Sequence, residues 1–378
     1  MKPSQSTYHV GKPNLGSRPR LLRRIRTILN NKWLSNNGPF VQELEERLAR
    51  YLGVRNCVIV CNATIGLELA ARATGLNGEV IIPAFTFIAT AHALEYQGIK
   101  PIFCDIDQKT HNLDCSKVED LITDKTSGIL AVHLWGRPCD IVGLTEIARR
   151  RGLRLLFDSA HAFGCSHKGK MIGCFGDAEV FSFHATKFFN TCEGGAVTTN
   201  DDQLADKVRL TRNFGFAGYD NVESVGTNAK MTEVCAAFGL TNFESLDKFI
   251  SINRRNYHLY RDGLKQMNGL TIVEYDETQK CNYQYVVVEV ETKKAGKTRD
   301  HLLGALQKAG ILARRYFFPG CHNMRPYRDE DRIKGLCLPI TDEISTRVIV
   351  LPTGVAVNAA AIKKALSILA LETNQLPR

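Results

Sequence analysis

The chain has 378 residues, of which 44% are apolar and 23% charged, and its net charge is +10. That length buries a substantial core without disulfides or metals, and the composition excludes a disordered or fibrous chain. The 12 cysteines are scattered singly, with no CxxC pair and no zinc-spaced Cys/His ladder, so reduced and mostly buried thiols are expected.

The N-terminus, Met1-Lys2-Pro3-Ser4-Gln5-Ser6, has no apolar signal-peptide core, and no run of about 18 apolar residues occurs. A cytoplasmic protein is expected. Apart from short clusters such as Arg20 to Arg26 and Arg149-Arg150-Arg151, the positive charge is spread out and accompanied by no nucleic-acid motif. A solvated surface, or an anionic small substrate, accounts for it, with no nucleic acid or membrane as partner.

In chain order, Val58-Ile59-Val60 reads as a strand, followed by a helix-like stretch from Ile65 that stops at Gly75. Val80-Ile81-Ile82 is the next strand, then a helix-like stretch to Gln97, ended by Gly98. Further strands are expected at Pro101 to Cys104, Gly128 to Leu134, Leu153 to Phe157 and Val180 to Phe183. Their nearly continuous apolar runs suit a parallel sheet buried on both faces, and the alternation with helices argues for an α/β domain. Beyond about residue 245 the pattern changes. A long polar helix is expected from Phe243 to Leu264, strands at Tyr285 to Val290 and Ile311 to Phe318, and helices near Thr298 to Ala309 and Asn358 to Leu371. The expected division is an N-terminal segment 1–30, a large domain 31–245 with a mostly parallel sheet, and a smaller α+β domain 246–378. The N-terminal segment is expected to pack near the smaller domain or at a subunit interface.

Ligands of open α/β sheets bind beyond the carboxyl ends of the strands, so the residues just after each strand matter most. After the first strand comes Cys61-Asn62-Ala63-Thr64 and a helix, whose N-terminal N–H groups suit a phosphate or simply a cap. After the second comes Pro83-Ala84-Phe85-Thr86-Phe87, aromatics that fit either a flat ring or the core. Asp158 ends a buried strand, where a carboxylate needs a partner such as a protonated ring nitrogen, a cap or a salt bridge. Phe181-Ser182-Phe183-His184-Ala185-Thr186-Lys187 puts a lysine near another strand end, followed by a Gly-bearing turn, Glu193-Gly194-Gly195-Ala196. Singly, each has a plain structural explanation. Together, a phosphate turn, an aromatic, an Asp, a Ser and a Lys on one sheet are what pyridoxal-phosphate chemistry needs: the Asp keeps the ring nitrogen protonated, and the Lys carries the aldehyde and later moves a proton.

Asp158-Ser159-Ala160-His161-Ala162, the stretch from Phe181 to Lys187, Glu193 to Ala196, and Gly226-Thr227-Asn228-Ala229-Lys230-Met231 resemble the DegT/DnrJ/EryC/StrS group of sugar aminotransferases. The likeness runs from Lys32 to Gly354. It implies the aspartate aminotransferase (type I) fold, pyridoxal 5'-phosphate as cofactor, and catalytic roles for Lys187, Asp158 and His161. It further implies that Phe87 and Ala160 cover the faces of the ring, and that Ala63, Thr64 and Ser182 bind the phosphate. Asn228 would reach the cofactor of a neighbouring subunit, making a homodimer with shared sites. Ala63 departs from the family's usual Gly, which tightens the space but keeps the backbone N–H.

Cys61 to Thr64, His133-Leu134-Trp135-Gly136-Arg137-Pro138-Cys139, Asn213-Phe214-Gly215-Phe216 and Tyr316 to His322 resemble most the members that aminate C4 of dTDP-4-keto-6-deoxyglucose. That implies L-glutamate as donor and a nucleotide-linked keto sugar as acceptor, with Arg314 and Arg315 as candidate anion contacts. C3 amination or another nucleotide stays open. Lys187 stands where the family's dehydratases carry His, and the intact Lys187, Asp158 and Ser182 argue against a non-catalytic binding protein. No early GxGxxG supports a nicotinamide enzyme.

Overall fold

The computed structural model describes residues 7–331 and 333–374. Seven strands form the central sheet: β1 (Asn56–Val60), β2 (Glu79–Pro83), β3 (Lys100–Cys104), β4 (Thr126–Val132), β5 (Arg154–Asp158), β6 (Ala178–Ser182) and β7 (Gly195–Thr199). Their spatial order is β1-β7-β6-β5-β4-β2-β3. β7 runs antiparallel to both its neighbours, and the other pairings are parallel.

Side chains alternate across this sheet, so each strand feeds two cores. Ile59, Ile81, Ile129, Phe157 and Phe181 point to one face, under the helices Pro39–Leu52 and Ile141–Arg151. Val58, Val60, Val80, Ile82, Leu130, Leu156, Val180 and Val197 point to the other, under Ala63–Ala73 and Asp202–Arg212. Burial on both faces explains the unbroken apolar runs, and each fully buried side chain of this size contributes about 1.5–3 kcal/mol.

The C-terminal part has its own three-stranded antiparallel sheet, β8 (Leu270–Ile272), β9 (Val286–Val290) and β10 (Val348–Leu351), in that order. Helices Leu246–Leu264, Arg299–Lys308 and Ala359–Glu372 pack on it around a separate core that includes Tyr260, Leu302, Ile349 and Ala365. Near the N-terminus, Tyr8–His9 pairs in parallel with Ile311–Leu312. Helix Arg18–Asn31 lies on Glu233–Phe243, with Arg24 Nη1 donating to Thr241 Oγ1 at 2.8 Å. Residues 1–6 of the expected N-terminal segment lie outside the described residues.

Four expectations change. The long helix expected from Phe243 starts three residues later, as Leu246–Leu264: Phe243 closes a preceding helix, Glu233–Phe243, and the chain leaves helical geometry at Ser245 (φ −114°, ψ 10°). Glu193 to Ala196 is not only a turn: Gly195 opens strand β7, which inserts between β1 and β6. The strand expected through Leu134 ends at Val132, since Trp135 takes a left-handed backbone (φ 61°). The strand expected from Ile311 to Phe318 stops at Leu312, and Arg314 then bridges Val350 while the chain turns. That turn brings Tyr316 and Phe317 against the candidate site instead of leaving them on a sheet face. All 12 cysteines are unpaired thiols. Among the described residues, no helix is long and apolar enough to cross a membrane.

Candidate active site

The buried run Leu155-Leu156-Phe157 carries Asp158 to the carboxyl edge of β5, where it is 6% exposed. Its Oδ2 accepts from Thr90 Oγ1 at 2.8 Å and its Oδ1 from the Ala160 N–H at 3.1 Å. Thr90 in turn contacts Thr86 Oγ1 at 3.1 Å. Among the described residues, no cationic side chain forms a salt bridge with Asp158. Burial raises its pKa, against the lowering effects of Thr90, the Ala160 N–H and the charge of Lys187. The adjacent Ser159 turns inward and donates to Glu179 Oε2 at 2.5 Å, which leaves half-buried Ala160 beside the carboxylate.

Lys187 sits on the loop after β6. The loop is fixed from both sides: Phe188 N–H donates to Gln284 Oε1 at 2.9 Å, and Asn14 Nδ2 donates to the Phe188 carbonyl at 3.0 Å. Among the described residues, the ammonium has no carboxylate partner in contact; Nζ donates to Tyr285 Oη at 3.3 Å. Burial lowers its pKa to about 8, with Asp158 acting the other way. An amine in this state is partly unprotonated near neutral pH and can attack an aldehyde.

The third group assembles through strand register. Ser182 pairs with Gly195, and Gly195 pairs with Val60, the residue before Cys61. Ser182 therefore lies at the same edge as the start of helix Ala63–Ala73. Asn62 Oδ1 caps that helix by accepting from the Ile65 N–H at 2.9 Å, while the N–H groups of Ala63 and Thr64 have no acceptor within the helix. A Cβ on Gly195 would stand 2.8 Å from the Ala63 nitrogen. The glycine thus keeps this corner open, with helix-terminal donors and a hydroxyl around it, a set that suits an anion.

His161 is buried, and its Nδ1 accepts the Trp135 N–H at 3.2 Å, so a neutral ring carries its proton on Nε2. Burial, reinforced by Lys187, holds its pKa well below the usual value. Its ring lies 4.5 Å from that of Tyr285 and stacks at 5.9 Å on Phe317. Phe87 is 56% exposed, 6.4 Å from Phe317. A cleft of about 760 Å³ opens beside Phe87, Tyr316 and Phe317, and is bordered by Arg314, Arg315 and Asp300.

Lys187, Asp158 and His161 thus converge, with Tyr285 touching two of them. Ala63, Thr64 and Ser182 share one corner, and Phe87 borders the cleft. Asn228 is exposed and touches none of these; its neighbour Ala229 accepts the Cys61 N–H at 2.7 Å. Arg314 and Arg315 border the cleft but are engaged locally, Arg314 over the Tyr316 ring and Arg315 with Asp300 at 3.3 Å. Sequence reasoning missed Thr90 and Tyr285, which lie 68 and 98 residues from their partners in the chain. Trp135 and Phe317 stood in stretches already singled out, but nothing in them announced contact with His161.

The dTDP-4-amino-4,6-dideoxy-D-glucose transaminase of Shigella dysenteriae is 37% identical to this chain, covering 90% of it and 95% of that protein. The enzyme of the same name from Escherichia coli is 35% identical, covering 96% and 97%. A crystal structure of DesI in the presence of its TDP-sugar product superposes with a TM-score of 0.93 at 46% identity, over 98% of this chain and 93% of that one. The model of the DegT/DnrJ/EryC1/StrS aminotransferase family matches residues 17–370. The α/β fold with its mostly parallel sheet is the one these sugar aminotransferases have, and this chain belongs to the DegT/DnrJ/EryC1/StrS aminotransferase family.

Proposed function

We propose that the protein uses pyridoxal 5'-phosphate to move the amino group of L-glutamate to C4 of dTDP-4-keto-6-deoxy-D-glucose, giving dTDP-4-amino-4,6-dideoxy-D-glucose and 2-oxoglutarate. The observation that carries the reading is the pairing, among the described residues, of a buried carboxylate without a salt-bridge partner, Asp158, with a half-buried amine without a carboxylate in contact, Lys187. Left alone, both are costly. A ligand with a protonated ring nitrogen and an aldehyde offsets both, and the open corner at Ala63, Thr64 and Ser182 suits its phosphate. The residues fit the cofactor.

When bound, pyridoxal phosphate supplies an electron-withdrawing ring that stores the amino group between donor and acceptor. Asp158 holds the proton at the ring nitrogen. Lys187 Nζ takes the proton from the donor's Cα and later returns one to the sugar carbon that receives nitrogen. His161 would offer its Nε2–H to the cofactor's phenolic oxygen, and Phe87 and Ala160 would cover the faces of its ring. The cleft bordered by Phe87, Phe317, Arg314 and Arg315 receives the nucleotide diphosphate. Asn228 serves a second subunit, so the working unit is a homodimer, and the place of work is the cytoplasm. The names of the relatives support the choice of a dTDP-linked 4-keto sugar.

The deciding experiment is the visible spectrum of the purified protein with cofactor. A yellow band should bleach with L-glutamate and return on adding the dTDP-linked 4-keto sugar, with the aminated product seen by mass. A protein that stays colourless after incubation with the cofactor defeats the reading. Recovery with a GDP-linked or a 3-keto sugar alone would reassign the acceptor.

The pH dependence of loading follows from Lys187. Below its pKa of about 8 the amine is protonated and cannot attack the aldehyde. Capture of pyridoxal phosphate by the apo-protein, followed by stopped-flow absorbance, should therefore speed up as pH rises and level off above about 8. A rate still climbing tenfold per unit up to pH ~10 would indicate an ordinary surface-like lysine.

A further inference from the structure

His161 is held by a chain of buried polar groups that reaches the other sheet. Trp135 occupies a left-handed backbone conformation (φ 61°), and so does His111 (φ 59°). Bulky L-residues adopt it only when their surroundings over-determine it. For Trp135, three polar atoms have partners: its backbone N–H donates to His161 Nδ1 at 3.2 Å, its indole Nε1–H donates to His111 Nδ1 at 3.2 Å, and its carbonyl lies 2.9 Å from Tyr275 Oη, whose single proton it shares with the Tyr285 carbonyl, also at 2.9 Å. His111 Nε2 faces Glu289 Oε1 at 3.1 Å. The next residue grips the same turn, with Asn112 Oδ1 accepting from the Leu134 N–H at 3.0 Å and Nδ2 donating to the Pro138 carbonyl at 3.2 Å.

The direction of the bonds at both histidines follows. An indole N–H only donates, so His111 Nδ1 accepts and its proton sits on Nε2, aimed at the Glu289 carboxylate. A backbone N–H only donates, so His161 Nδ1 accepts and Nε2–H is that ring's one donor. His111 and Trp135 are fully buried, and Glu289 on β9 is half-buried with its second oxygen 3.5 Å from Arg347 Nη2. Apolar side chains would fill this space without the cost of burying polar groups, so packing alone does not account for the chain.

We propose that Glu289, His111 and Trp135 form a positioning relay that fixes His161 in one orientation and one tautomer, presenting Nε2–H to the reacting groups. What His161 then does rests on the aminotransferase reading, but the relay is read out without turnover.

The test is 15N NMR of the full-length protein labelled at histidine, with and without pyridoxal phosphate, assigning His161 by its loss in His161→Asn. The native protein should show His161 as the Nε2–H tautomer. Trp135→Phe keeps most of the ring and removes the donor to His111; it should give mixed tautomers at His161. With cofactor, kcat should fall about tenfold while KM stays within about twofold, as expected for a misaimed proton donor. His111→Asn puts an acceptor oxygen in place of Nδ1 and tolerates the left-handed backbone, so it should keep the native tautomer. Glu289→Leu tests the far end in case Trp135→Phe does not fold, and should mix the tautomers as well. A native His161 tautomer in Trp135→Phe, or in Glu289→Leu if that is the variant that folds, overturns the relay. So do equal losses in Trp135→Phe and His111→Asn. A protein that binds no pyridoxal phosphate overturns the functional reading instead, and the tautomer result stands apart from it.

Discussion

Lys187→Ala should lose about 10⁵-fold or more in turnover, ~7 kcal/mol of transition-state stabilisation, while keeping its fold. The loss is large because one amine has two tasks. It joins the aldehyde, and it moves the proton between the donor's Cα and the cofactor, and no neighbour offers a substitute. Tyr285 Oη is its hydrogen-bond neighbour at 3.3 Å, and burial pushes that phenol's pKa far up, so it does not serve as a base. The fold should survive because the loop is held by other groups, Phe188 N–H to Gln284 and Asn14 to the Phe188 carbonyl. Burial lowers the lysine's pKa to about 8, so the native state binds its proton more weakly than the unfolded chain does between about pH 8 and 10.5. Below that window the half-buried ammonium costs stability, and the alanine variant of the apo-protein should melt no lower than wild type at pH 7. Steady-state transamination beside thermal melts checks both halves. Turnover at the wild-type level would remove Lys187 from the chemistry.

Asp158→Asn should keep the fold and lose about 10³-fold in turnover, ~4 kcal/mol, because an amide no longer holds the proton at the ring nitrogen. The substitution is nearly isosteric, and the Thr90 hydroxyl can rotate to accept from the new amide while the Ala160 N–H keeps its oxygen. Burial raises the pKa of Asp158 above 3.8, so the folded apo-protein binds this proton more tightly than the unfolded chain does. Stability is then lost as pH rises through that window and stays lost at neutral pH, so the neutral Asn should raise the apo-protein's melting temperature at pH 7. With cofactor bound, the order should reverse, since the carboxylate then has its partner. A variant that is less stable without cofactor, or fully active with it, would contradict this account. The two variants together describe a site whose charges are unfavourable until the ligand arrives, a common trade of stability for function.

The parts of this protein that are local in the chain were legible in its residues. Apolar runs such as Val80-Ile81-Ile82 and Leu155-Leu156-Phe157 mark strands buried on both faces, because a strand covered on only one face would alternate. Asp158 and Lys187 stood out because charged groups at the ends of such strands need partners. The stretch Cys61 to Thr64 marked the start of a helix, and the structure makes Asn62 its cap. What depends on contacts between distant residues was not legible. The insertion of β7 antiparallel between β1 and β6 aligns Ser182 with Gly195 and Val60, and no local pattern specifies that register. The turn after Leu312 and the left-handed backbone at Trp135 override strand-like sequences, because tertiary hydrogen bonds and ring stacking there outweigh a propensity of at most about 1 kcal/mol per residue. Thr90 on Asp158 exists only once the large sheet and its helices are assembled, and Tyr285 on Lys187 and the relay behind His161 only once the two sheets are packed together. The sequence by itself determined which chemical groups stand at the strand ends. Only the tertiary structure decided which of them face one another and in which protonation state, since burial and hydrogen bonding between distant segments set both.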